Sequence, residues 1–218
     1  NTIVIVSAMG KTTNALENIV STYFSKKNNL DSGISELYDY HKIILENLFP
    51  DKHQIFNEIN ILFQRIKFFL ENNKSPNHSF VYDQVVTYGE IISTTIINSF
   101  LVHNNIESVW LDARDCIKTD SNYRGGNIQW AETQKNILNK IQKEKINVTQ
   151  GFIGSDKNNF STSLGREGSD YSAAIFAYSL NSESVTIWKD VPGVLNGDPK
   201  VFNNPKLLDQ ISYLEAIE

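Results

Sequence analysis

The 218-residue sequence predicts an α/β fold, with a mainly parallel sheet covered by helices on both faces. Short β-branched, apolar runs alternate along the chain with longer segments of helical periodicity. Small, polar or glycine-containing loops follow several of those runs, where ligands gather in open parallel sheets.

Thr2 to Ser7 is β-branched and apolar, as suits a buried parallel strand, and the turn Met9 to Asn14 leads into a helix from about Ala15 to Phe24. From Ser35 to Asn72 the pattern is helical. Its clearest stripe is Ile55, Ile59, Leu62, Ile66 and Phe69, repeating at three- and four-residue intervals and reading as core. A further helix is predicted over Val81 to His103, then a short strand at Val109 to Leu111 and a helix from Ile128 to Glu144. A strand at Val148 to Phe152, a helix at Ser169 to Leu180 and a strand at Ser184 to Trp188 complete the alternation. The last strand feeds a loop carrying Pro192, Gly193, Gly197 and Pro199. Trp110, Trp130 and Trp188 read as core, with Trp188 bordering a pocket, and the Asn-rich stretches around Asn28, Asn72 and Asn158 as solvated loops.

Composition narrows the function classes. A formal charge of −5 excludes a general nucleic-acid binder, which relies on clustered Lys and Arg. Any anionic ligand must therefore be met by a local site. The single cysteine, Cys116, has no internal disulfide partner, and no membrane-spanning run of roughly 20 apolar residues is expected. A cytoplasmic setting fits best. The chain opens directly in a strand-like run, so a segment upstream of Asn1 is expected.

Several motifs carry candidate chemistry. Gly10-Lys11-Thr12 invites a phosphate-loop reading, but that motif needs a glycine where this chain has Ile5. What remains at Ser7 to Thr13 is a loop of small residues and hydroxyls whose backbone N–H groups can cradle phosphate or carboxylate oxygens. Glu90 allows two readings: an exposed residue on a polar helix face, or a buried counter-charge for a ligand's ammonium group. LGREGSDYSAA, residues 164–174, also allows two: a surface turn capped by Ser169, or a binding loop feeding a helix N-terminus that attracts anions. Asp112-Ala113-Arg114-Asp115 reads as a local salt bridge. His41, His53, His78 and His103 lack metal-ligand spacing and read as surface residues.

Five stretches in order, SAMGKTTN (7–14), Gly89-Glu90, TQGFIGS (149–155), LGREGSDYSAA and WKDVPGVLNGDP (188–199), resemble the aspartokinases of the amino-acid kinase family. The resemblance covers nearly the whole chain. It implies a three-layer α/β/α sandwich, the amino-acid kinase fold, forming one catalytic domain over residues 1–218. It also implies phosphoryl transfer from MgATP to the side-chain carboxylate of L-aspartate, with no nucleic acid or membrane partner and a homo-oligomer in the full-length protein. Carried over by position, Arg166 matches the clamp on aspartate's carboxylate and Glu90 the partner of its amino group. Ser169 and Asp170 match the catalytic pair at the helix start. Ser7, Thr13 and Phe152 match positions lining the substrate. Gly10, Lys189, Asp190 and Lys200 match the nucleotide side, and no resident metal ligand is implied. Departures stand beside these matches: Glu167 replaces a common glycine, Lys189 a common threonine and Leu195 a common tyrosine. The family's Lys-Phe-Gly-Gly and Phe-Gly-Ala-Lys stretches and its regulatory ACT domains are expected outside this stretch of chain.

Overall fold

The computed structural model describes residues 2–25, 30–189, 193–212 and 214–215. They form two compact units, Asn1–Val185 and Thr186–Glu218, described separately below.

In the larger unit, β1 (Thr2–Val6), β2 (Ser108–Leu111) and β3 (Ile146–Gln150) build a parallel sheet in the order β1-β3-β2 among the described residues. β3 is the inner strand, and its register pairs Val6 with Gln150 and Leu111 with Thr149. All three strands therefore end at one edge. β3 is almost fully buried, whereas β1 is half-buried at the sheet margin.

Helices cover both faces. α5 (Tyr88–His103) lies against all three strands, with α1 (Thr12–Phe24) and α3 (Ile55–Asn72) packed on its other side. A helix enclosed in this way needs apolar residues all round, which explains the run Ile91, Ile92 and Ile96 beside buried Ser93 and Thr94. α2 (Leu30–Leu48) packs between α1 and α3. The main core of Leu16, Val20, Leu45, Ile55, Ile59, Ile66, Val85 and Ile92 fills this helical layer. On the opposite face, Ile137 of α7 (Trp130–Lys140) and Ile175 and Phe176 of α8 (Gly168–Leu180) pack with Ile3 and Ile5. The layered parallel architecture expected from the sequence is present.

Several expected elements differ. The helical stretch from Ser35 is two helices, divided where Pro50 cannot continue α2. Its predicted stripe is core at Ile55, Ile59 and Ile66, while Leu62 and Phe69 are only partly buried. Val81 to His103 is likewise two helices, α4 (His78–Val86) and α5, parted at Thr87, whose hydroxyl donates to Asp83 O at 2.7 Å. Together these residues are apolar and long enough to cross a membrane, contrary to expectation, but the break and the packing of α5 account for them as core helices. Ser184 to Trp188 forms no strand: alternation alone cannot satisfy a ladder, and Val185, Ile187 and Trp188 are exposed. Trp188 and Trp130 are therefore not core, whereas Trp110 is half-buried and donates to Thr94 Oγ1. His41 is not a surface residue. It is fully buried between α1 and α2, donates from Nδ1 to Leu37 O, and burial lowers its pKa.

Two elements had no sequence expectation. A short helix α6 (Ala113–Cys116) follows β2, and the hairpin of β4 (Ile153–Ser155) and β5 (Ser161–Ser163) follows β3. The loop around Asn158 is the exposed turn of that hairpin, where Asp156 accepts from Asn158 N and Phe160 N. Cys116 is buried and free, its thiol pushed up to about 12 by burial. In the smaller unit, Leu195 and Leu207 form an antiparallel bridge, and the Asp198 carboxylate accepts from Lys200 N.

Replacing Ile59, which is fully buried, with Ala is expected to destabilise the fold by about 2–5 kcal/mol in denaturant unfolding, through lost transfer energy and the cavity left behind. A loss under about 1 kcal/mol would mean that the helical layer is loosely packed.

Candidate active site

The loops after β1 and β3 meet the start of α8 at the carboxyl edge of the sheet. Gly151 N donates to Val6 O at 3.0 Å, tying the two strand ends together. Ser7 Oγ donates to Ser169 Oγ at 2.9 Å, bridging the β1 loop and the first turn of α8. The approach of α8 requires glycine at 151, since a Cβ there would lie 2.6 Å from Ser169 Oγ and 2.8 Å from its Cα. Phe152 N donates to Ser172 Oγ, which in turn donates to Gly168 O, so the β3 loop is held to α8 by a second link. Ser93 carries no signal in the sequence, and Ala8 and Ser172 lie in singled-out stretches without roles of their own, since those roles depend on which loops meet.

Glu90 stands under this edge in the first turn of α5 and is 3% exposed. Its Oε1 accepts a long bond from Ala8 N at 3.4 Å, and its Oε2 is buried with no hydrogen-bond partner. Ser93, one turn further along α5, donates to Ser7 O at 2.8 Å. Burial drives the Glu90 carboxyl up to about 8, and the bonds from its own and the Ala8 backbone N–H offset only part of that. The exposed reading of Glu90 is thereby overturned. A buried carboxyl with an idle acceptor is suited to a ligand donor, above all a cation that would stabilise its ionised form.

Other candidate residues take different stations. Arg166 and Glu167 form the exposed turn entering α8, with Arg166 Nε 3.9 Å from Glu167 Oε1. Asp170 is half-buried in the first turn of α8, and Thr13 half-buried in the first turn of α1. Gly10 is exposed in the β1–α1 turn beside Tyr40. Phe152 at φ 68° and Glu167 at φ 56° hold left-handed backbone, a conformation that costs a non-glycine residue on the order of 1 kcal/mol or more and clusters at functional sites. Lys189 and Lys200 are exposed residues of the smaller unit, and Asp190 lies outside the described residues. Asp112 and Arg114 form the local ion pair expected of them, at 2.6 Å, removed from any need for a ligand.

The edge thus offers an idle buried carboxyl, paired serine hydroxyls, the N–H groups of the β1–α1 turn and of α8, and an exposed guanidinium. Such a set can hold a zwitterion and a phosphate side by side. Among the described residues it contains no activated nucleophile: Ser7 and Ser169 bond to each other, and neither has an imidazole partner there.

Comparisons with known proteins point the same way. Residues 1–218 match the amino acid kinase family. The lysine-sensitive aspartokinase 3 of Escherichia coli is 33% identical over 180 residues, covering 80% of this chain and 39% of that protein. The chloroplastic bifunctional aspartokinase/homoserine dehydrogenase 2 of Arabidopsis thaliana is 29% identical across 99% of this chain and 24% of its own length. The crystal structure of E. coli aspartokinase III in complex with aspartate and ADP superposes with a TM-score of 0.82 at 29% identity, over 95% of this chain and 46% of that one. The chain therefore spans less than half the length of each of these relatives.

Two outcomes follow from the geometry. Because the folded Glu90 binds its proton up to about 8 while an unfolded one releases it near 4.5, its contribution to stability is complete below about 4.5 and lost as pH rises through that window. Glu90→Gln should therefore gain on the wild type by about 1.4 kcal/mol per pH unit across most of that range, giving diverging melting-temperature profiles. Parallel profiles would show that Glu90 is not held neutral. Gly151→Ala should cost about 1–3 kcal/mol of stability by overpacking α8 against the β3 loop; an unchanged melting temperature would contradict that contact.

Proposed function

The chain belongs to the amino acid kinase family, and from that premise we propose that it is the catalytic region of an ATP-dependent aspartokinase, transferring the γ-phosphoryl group to the side-chain carboxylate of L-aspartate. The observation carrying the reading is Glu90, buried with an unpartnered Oε2 at the edge where the β1 and β3 loops meet α8. An amino acid's ammonium group would complete that acceptor and draw its proton off, whereas an acceptor without an amino group gains nothing there. Relatives at 33% and 29% identity carrying the aspartokinase name support the same choice.

In this reading Arg166 holds aspartate's α-carboxylate through its planar fork, Glu90 holds the ammonium on the same α-carbon, and Ser7, Thr13 and Phe152 line the side chain. The side-chain carboxylate oxygen is the nucleophile, so no attacking group is needed from the protein. ATP phosphates lie along the N–H groups at Gly10 and the start of α8, with Ser169 orienting the transferred group. The family resemblance alone assigns Lys189, Asp190 and Lys200 to the nucleotide. Mg2+ on the phosphates would neutralise charge that builds in the transition state. Asp170, half-buried in the first turn of α8, keeps the positive groups around the transferring phosphoryl group aimed at it. Positioning and electrostatics then supply the rate. We assign the protein to the cytoplasm, in keeping with a lone cysteine that is buried and unpaired, and its full-length form to a homo-oligomer, as the family resemblance implies.

The test is ADP release from the full-length protein, with L-aspartate as acceptor and L-glutamate as control. Aspartate-dependent turnover is expected, and its absence overturns the proposal. Arg166→Ala should raise KM for aspartate by about thirtyfold or more, since losing one side of an engaged charge pair costs ~2–5 kcal/mol. An unchanged KM would remove Arg166 from the substrate.

A further inference from the structure

Three consecutive residues of α4 grip parts of the chain far from it in sequence. Tyr82 donates from its hydroxyl to Glu17 Oε1 on α1 at 2.6 Å, and its ring lies under the Arg124 guanidinium at 4.2 Å. Gln84 bonds both backbone groups of Ser161, accepting from its N at 3.0 Å and donating to its O at 2.8 Å. Asp83, fully buried, accepts from Ser163 Oγ at 2.6 Å on Oδ1, and from both Ser163 N and Arg124 N at 2.9 Å on Oδ2. The outer edge of β5 is thus closed by side chains of a helix, as an edge strand left open would expose its N–H groups.

What makes this more than support is where the two ends lead. Thr87 joins α4 directly to α5, whose first turn bears Glu90, and the Thr87 hydroxyl closes on Asp83 O. From Ser163 the chain runs through Leu164, whose N donates to Phe152 O, and Gly165 at φ +79° to Arg166. The left-handed φ of that turn favours glycine at 165, and the turn passes beside Arg124 O, on the loop Asp83 also holds. One carboxylate therefore spans the helical segment carrying the candidate ammonium partner and the turn carrying the candidate carboxylate clamp.

We propose that Asp83 is a positioning residue for substrate recognition, fixing the turn that bears Arg166 at a set distance from Glu90. The proposal rests on the reading that Arg166 and Glu90 hold the α-carboxylate and the ammonium group of one amino-acid substrate. A carboxylate suits the role because three donors converge on it, and an amide could serve only some of them.

The experiment compares full-length wild type, Asp83→Asn, Ser163→Ala and Ile59→Ala. The last loosens the helical layer that packs on α5 while leaving the bonds of Asp83 to Ser163 and Arg124 in place, and controls for lost stability. Asp83→Asn should raise KM for aspartate by about tenfold to a hundredfold while KM for ATP stays within about twofold, as expected when a charged acceptor is lost and a binding group is misplaced. Ser163→Ala, which keeps both backbone bonds, should shift KM for aspartate the same way by about threefold, and stands in should Asp83→Asn fail to fold. Aspartate KM values unchanged in these variants, or equally raised in Ile59→Ala, would overturn the proposal. Hydrogen exchange of residues 164–168 decides independently of turnover. Exchange about tenfold faster in Asp83→Asn or Ser163→Ala, but not in Ile59→Ala, supports it, and unchanged exchange overturns it. A wild type without aspartate-dependent turnover would instead sink the functional reading.

Discussion

The site depends on a carboxyl held in a dry interior with one of its oxygens idle. Burying Glu90 is unfavourable by itself: removal from water disfavours its charge by several kcal/mol, and the long bond from Ala8 N recovers little of that. The fold tolerates the residue because α5 is enclosed by the sheet on one side and by α1 and α3 on the other, so the surrounding core supplies far more than Glu90 removes. A position of this kind persists where an arriving charge can use it, and perturbed carboxyls in clefts are where binding and catalysis concentrate.

Everything else at the edge serves to bring groups from distant parts of the chain to that carboxyl. Strand order β1-β3-β2 places the β1 and β3 loops side by side. Ser7 and Ser169 join the first loop to α8, while Gly151 lets α8 approach within contact of the second. Phe152 and Glu167 pay in backbone strain for their places around the start of α8. Glu167 also sets a negative charge beside Arg166, so the exposed guanidinium meets an internal rival before any ligand does. Being exposed, that pair is weak, and a bidentate carboxylate can displace it.

Much of this was legible in the sequence, and the exceptions have physical reasons. Apolar runs and helical periodicity located all three strands of the parallel sheet, because enclosed strands and helices must be apolar whatever their partners. The same logic marked Glu90 as a possible buried charge amid Val85, Val86, Ile91 and Ile92, but could not choose between its two readings. That choice depends on α1 and α3 covering α5. The β4–β5 hairpin left no hydrophobic signal, since its closing partners are the polar side chains of Asp83 and Gln84. Trp130 misled because its size suggests burial, whereas it meets Tyr178 edge to face at the surface. His41 misled in the opposite sense: Leu37 O lies one turn back on its own helix, but its other partner, Thr12, is supplied only by the meeting of α1 and α2. Ser184 to Trp188 shows that alternation specifies a strand only where a neighbour exists to pair with it.

The most direct measurement is a carbon-13 NMR titration of the Glu90 carboxyl, alone, with L-aspartate and with succinate, which keeps both carboxylates and lacks the amino group. The free carboxyl is expected to titrate near 8, to become ionised at neutral pH when aspartate binds, and to stay protonated with succinate. A carboxyl that titrates as an ordinary glutamate when free, or responds alike to aspartate and succinate, would contradict Glu90 as the ammonium partner.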